Sequence, residues 1–212
     1  MINNIGLKRK KEKAAKIVAE LKKLFPKTSI ALHYSNNLEL LIAVILSAQC
    51  TDKQVNKVTE NLFKKYSKLD NYVNVDQNEF ERDIKSIGLY RNKAKNILTT
   101  AKIIKSKYEG KVPGTMEELI TLPGVARKTA NIVLYLSNGK TEGIAVDTHI
   151  KRLSKLLGLT LSYNPAKIEK DLMEILPKKE WMDFSFRLID YGRAYCTARS
   201  HDHASCPLTK IV

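Results

Sequence analysis

The sequence is short of cysteine, short of acidic residues relative to basic ones, and free of long apolar runs and of strand-like alternation. Each shortage excludes something. The longest apolar stretch, residues 40–46, falls far below the ~18–20 continuous apolar residues that span a bilayer, so no transmembrane helix is expected. The first residues are polar and then basic, without the apolar core of a secretory signal. Three cysteines, an odd and sparse set, speak against a disulfide framework and for a reducing interior. The expectation is a soluble cytoplasmic protein. No internal repeat or low-complexity segment is present.

What is abundant is positive charge. Against 22 Asp and Glu stand 37 Lys and Arg, a formal net charge of +15. A metabolic enzyme rarely carries such an excess. It points to a polyanion, nucleic acid first and an acidic membrane surface second, with lysine as general surface filler the plainer alternative. The 212 residues, 43% apolar, suffice for one large domain or two small ones with real cores.

Nearly every apolar pattern repeats at helical spacing, which makes this an all-α chain. Residues 8–25 read as a basic amphipathic helix ended by Pro26. Residues 38–48 read as a more apolar helix suited to the centre of a core, with Cys50 a small core residue beside it. Asp52 is a plausible cap for a helix running to about residue 65. Helices follow at 76–87, 90–107 and 116–121, then at 127–136, 147–157, 165–176 and 181–195. Along the N-terminal helix, residues 8–25, Lys8, Arg9, Lys10, Lys11 and Lys13 suit a solvated face better than a phosphate track.

The most informative segment is 119–136, a helix, a Pro-Gly hairpin and a second helix that opens with Arg127 and Lys128. Gly124 permits a turn that a side chain would block. The unpaired amides at the start of the second helix suit a phosphate oxygen, a contact that binds DNA without reading its sequence. An ordinary connection between packed helices is the competing reading. Further on, Ile-Ala-Val-Asp-Thr-His-Ile (144–150) puts Asp147 at a helix start, where alone it reads best as a cap. Beside a lysine, that carboxylate gains a second reading, because the pair can perform amine chemistry on a sugar.

Four ordered runs carry a resemblance: Leu-Leu-Ile-Ala-Val-Ile-Leu-Ser-Ala-Gln-Cys-Thr-Asp (40–52), Ile-Gly-Leu-Tyr-Arg-Asn-Lys-Ala (87–94), Leu-Pro-Gly-Val-Ala-Arg-Lys-Thr-Ala-Asn (122–131) and Val-Asp-Thr-His (146–149). Together they resemble the endonuclease III family, from about residue 10 to Cys206. The resemblance implies a helix-hairpin-helix DNA glycosylase fold, with two helical domains flanking a DNA-binding cleft. A six-helix barrel-like domain would span 29–140, and residues 1–28 with 141–212 would form the other.

It further implies a monomeric, nucleoid-associated enzyme of base-excision repair, acting on double-stranded DNA with damaged bases or abasic sites. Such an enzyme removes oxidised pyrimidines and then cuts the abasic strand through a lysine Schiff base. By the resemblance Lys128 falls on the nucleophile and Asp147 on the essential carboxylate. Gln49 and Leu89 lie on loops that enter the duplex, where Leu is an apolar wedge and Gln can pair with an orphan base. Gly124, Ala126, Arg127, Thr129, His149, Arg193 and Arg199 are the further DNA-binding candidates. Affinity should fall steeply with salt. Two alternatives remain: a mismatch-type glycosylase of the same superfamily, which usually lacks lysine at position 128, and a noncatalytic hairpin module.

Two positions depart from the family. Ala126 replaces a second hairpin glycine, which is harmless at negative φ and costs roughly 1 kcal/mol or more at positive φ. The family usually ends with a C-x6-C-x2-C-x5-C set holding a [4Fe–4S] cluster. Register from Cys196 places His203, Cys206 and Val212 at the remaining positions, and valine cannot ligate iron. The cluster is therefore read as lost and no cofactor is expected, with a zinc site at Cys196, His201, His203 and Cys206 as the alternative.

Overall fold

The computed structural model describes residues 2–211, with side chains from residue 6 onward. Val212, the fourth position of the family's cysteine set, lies outside the described residues. Among the described residues every regular element is helical, with eleven α-helices and three short 3-10 segments. No helix among them is long and apolar enough to cross a membrane. Six of the α-helices open on an Asn, Thr or Asp whose side chain accepts a backbone N–H of the first turn: Asn36, Thr51, Asp76, Thr115, Asp147 and Asn164. These caps satisfy donors that a helix cannot satisfy internally, and so fix where each helix begins.

The chain divides into two compact units, one of residues 31–140 and one of residues 1–30 with 141–212. The first contains α2 (Asn37–Ser47), α3 (Asp52–Lys65), α4 (Leu69–Asn74), α5 (Gln77–Asp83), α6 (Tyr90–Lys107), α7 (Met116–Leu119) and α8 (Arg127–Asn138). Leu40 through Leu46 are all buried, so α2 is apolar on every side and forms the centre, packing on α3, α6 and α8. Tyr66, Tyr72 and Phe80 join α3, α4 and α5, with ring centroids 5.3–5.9 Å apart.

The second unit contains α1 (Ile2–Leu24), α9 (Thr148–Leu156), α10 (Pro165–Ile175) and α11 (Trp181–Ala194). Ala14, Ile17 and Leu21 of α1 enter its core, while Lys8, Arg9, Lys10 and Lys11 are exposed. Cys196, Cys206 and Leu208 belong to that same core, so the tail after α11 is packed rather than loose.

Three local expectations need correction. Thr51, not Asp52, caps α3, because its hydroxyl accepts from the Gln54 amide at 3.3 Å and Asp52 begins the helix proper. Cys50 is half-buried in the turn after α2 rather than in the core. Helix α4 has no counterpart in the periodicity, since six residues contribute only Tyr72 to the core.

Candidate nucleic-acid interface and catalytic residues

The hairpin between α7 and α8 is anchored by Leu122 and Val125, both buried, with the Val125 amide donating to the Leu122 carbonyl at 3.1 Å. Gly124 lies between them at φ +81°, in the left-handed region. A Cβ there would sit 3.1 Å from Asn96 Nδ2 and 3.4 Å from Ile45 Cγ2, so both conformation and space demand glycine. Ala126 is the N-cap of α8 at φ −84° and ψ 168°. The strained alternative for this alanine is thereby excluded. Its methyl group cannot cap the helix, which leaves the positive end of α8 suited to an anion.

Lys128 is the second residue of α8 and is exposed, as is Arg127, while Thr129 is half-buried. The side chains that hold α8 in place are Ala130, Ile132, Val133 and Leu134, all buried. The helix therefore presents Lys128 from a packed support.

In the other unit, the buried Ile144 and Ala145 lead into Asp147. Asp147 is half-buried and caps α9, its Oδ1 accepting from the Ile150 amide at 2.8 Å. The cap reading is thus correct as far as it goes, and it occupies one carboxylate oxygen.

Gln49 and Leu89 share an unusual conformation. Both are non-glycine residues in the left-handed region, at φ +52° and +57°. Such strain persists only where surrounding structure enforces it. Leu89 is 57% exposed, although leucine gains by burial, and Gln49 is exposed as well. The two loops are neighbours, since a Cβ on Gly88 would lie 3.6 Å from the Gln49 carbonyl oxygen.

Their common support is Lys93, which the sequence reading does not single out. It is only 5% exposed, and its Nζ donates to the carbonyls of Leu46 at 2.8 Å and Ala48 at 2.6 Å. A lysine thereby satisfies orphan carbonyls at the C-terminus of α2, just before Gln49. Its own backbone amide donates to the Leu89 carbonyl at 3.1 Å. Burial pulls the Lys93 ammonium below its usual range, with the nearby Cys50 opposing that shift. The available signal was a lysine in phase with the buried Ile97, Ala101 and Ile104.

His149 is half-buried on α9, and its Nδ1 lies 2.6 Å from where a Cβ on Gly192 of α11 would be. Gly192 permits that close approach and also escapes the sequence reading. Arg193 and Arg199 are both exposed.

Beyond them, the tail gathers Cys196, His201, His203 and Cys206, whose ligand-type atoms all lie within 4.8 Å of one another. Cys196 Sγ is 3.5 Å from His203 Nδ1, and Cys206 Sγ is 3.3 Å from His201 Nε2. Burial pushes the Cys206 thiol up, and the Cys196 sulfur adds to the shift. Four such ligands in one cluster could hold a metal ion.

Comparison with known proteins gives the chain a family. The profile of the HhH-GPD superfamily of base excision DNA repair proteins matches residues 42–178. Endonuclease III of Synechocystis is 48% identical over 202 residues, covering 95% of this chain and 92% of that protein. Endonuclease III of Bacillus subtilis is 48% identical over 189 residues, covering 89% and 86%. A solved structure of a trapped endonuclease III–DNA covalent intermediate matches with a TM-score of 0.90 and 47% identity, over 95% of this chain and 94% of that one. A thermostable thymine-DNA glycosylase shares the fold, with a TM-score of 0.81 at 23% identity.

Proposed function

Because this chain belongs to the HhH-GPD superfamily of base excision DNA repair proteins, and within it to the endonuclease III family, we propose that Lys128 and Asp147 carry its chemistry. The activity itself is base-excision repair by a bifunctional DNA glycosylase and abasic-site lyase. The observation that carries the residue assignment is the exposed Lys128 amine in the first turn of α8, behind a hairpin suited to a phosphate.

In this reading the damaged nucleotide leaves the stack, at a cost of a few kcal/mol that damage lowers. Leu89 wedges into the duplex and Gln49 pairs with the base left behind. The neutral amine of Lys128 attacks C1′, the glycosidic bond breaks, and the base departs with the bonding pair and takes up a proton. The sugar ring opens to a Schiff base on Nζ. Loss of a C2′ proton then expels the 3′ phosphate, and hydrolysis returns the lysine. Asp147 stabilises the positive charge on the sugar or handles the proton, with the oxygen its cap does not use.

Oxidised pyrimidines are the proposed substrates, and the protein acts as a monomer on duplex DNA in the nucleoid. The net charge of +15 supports the polyanionic partner. Identity of 47% to an endonuclease III structure, against 23% to the thymine-DNA glycosylase, favours this over a mismatch-type enzyme.

The test is a parallel assay of duplexes holding thymine glycol, uracil or an abasic site. The expected result is cutting at thymine glycol and at the abasic site, with an unsaturated aldehyde left on the 3′ end. Cutting at the abasic site alone would restrict the protein to lyase action. Binding without any cutting would make it a noncatalytic hairpin module.

A further inference from the structure

The C-terminal loop offers a ligand set that the repair chemistry does not use. Cys196 follows α11, Cys206 precedes the 3-10 turn Pro207–Lys210, and both are buried. Between them the chain places His201 and His203 side by side, with ring centroids 4.4 Å apart.

A [4Fe–4S] cluster does not fit this set. Such a cluster takes four cysteine thiolates at the corners of a body of eight atoms, and it holds its ligands further apart than a single ion does. Here two ligands are imidazoles, and all four ligand atoms fall within 4.8 Å. A two-iron centre of mixed ligation fails for another reason. It binds both histidines to one iron and both cysteines to the other, which separates the two ligand types. In this loop they are interleaved: each sulfur has its own imidazole nitrogen beside it, at 3.5 Å and 3.3 Å.

One tetrahedral ion does fit. Zinc bonds of ~2.0–2.3 Å place neighbouring ligand atoms about 3.3–3.8 Å apart, the range of both observed pairs. No two of the four ligand atoms are more than 4.8 Å apart, so a side-chain shift of about 1 Å brings every pair to that range. The supporting contacts also match. His201 Nδ1 lies 2.8 Å from the Arg199 carbonyl, which can only accept, so Nδ1 donates to it and Nε2, turned toward Cys206, is the nitrogen whose lone pair a metal would use. Arg152 donates to the Cys196 sulfur at 3.6 Å and to its carbonyl at 2.5 Å, placing a cation beside a would-be thiolate. Two thiolates with two imidazoles in a tetrahedron favour zinc among common divalent metals.

We propose that the C-terminal loop of this protein binds one zinc ion through Cys196 Sγ, His201 Nε2, His203 Nδ1 and Cys206 Sγ, in place of an iron–sulfur cluster. His201 then supplies from within the loop the fourth ligand that the family's spacing assigns to position 212. Both thiols release their protons to solvent on binding. The ion closes the loop onto α11 and orders the segment bearing Arg199.

The experiment is elemental analysis of the full chain, expressed with both iron and zinc available. The expected result is about one zinc per chain, no iron and no inorganic sulfide. Replacement by cobalt(II) should give the intense visible bands of a tetrahedral thiolate site. Chelation should lower the Tm by about 5 °C or more, independently of any activity. Cys206→Ser should lose the metal. Because Cys206 is buried, the half-buried His201→Ala, checked for helicity, serves as the second variant. Four irons with sulfide would overturn the proposal. So would failure to retain stoichiometric zinc after titration, or full zinc retention by a folded His201→Ala protein.

Discussion

At Asp147 the carboxylate caps α9 and, in the proposed chemistry, also acts on the charge that develops on the sugar. One substitution separates the two roles. Asparagine caps a helix about as well as aspartate, so Asp147→Asn should move the unfolding midpoint by no more than about 2 °C. Removing the charge should slow single-turnover cutting of an abasic duplex by about 10²–10⁴-fold. An Asp147→Asn protein with the full rate would leave the residue as a cap alone. Lys93 shows why some of the site is not legible in sequence. A lysine in the apolar phase of a helix reads as an imperfection of the pattern until its carbonyl partners, Leu46 and Ala48, are known from the fold. Those partners lie on another helix, and local spacing cannot supply them.

Among the elements, α2 and α6 act as a pair, because the loop after one and the start of the other carry two of the three non-glycine residues at positive φ among the described residues, Gln49 and Leu89. Leu89 gains little from burial and carries a left-handed backbone, a combination that the proposed wedge role would account for. Leu89→Gly should relieve about 1–2 kcal/mol of strain, partly offset by the entropy that glycine adds to the unfolded chain. A net gain of about 0.5–1 kcal/mol in chemical denaturation is expected, together with slower processing of thymine glycol in duplex DNA. A variant that loses stability and keeps full activity would contradict both halves. The long helices were legible because their apolar faces repeat over several turns. Helix α4 was not, since six residues are too few for a period to show, and Thr51 took the capping position from Asp52 by a one-residue shift.

For the whole molecule, charge, helical periodicity and four ordered motifs together pointed to an all-α DNA repair enzyme, and the family match agrees. The tail was the least legible part. Cysteine spacing read first as loss of a cluster, with the four-residue zinc site only the alternative, because spacing along the chain does not say whether His201, off the family register, meets the other three. Only folding shows that His201 reaches the same point as the other three ligands. The proposed covalent role of Lys128 is central to all of this, and borohydride reduction of the protein on an abasic duplex tests it most directly. The wild-type chain should be trapped as a covalent DNA adduct, and a folded Lys128→Ala variant should give none. A full-strength adduct from that variant would contradict the claim.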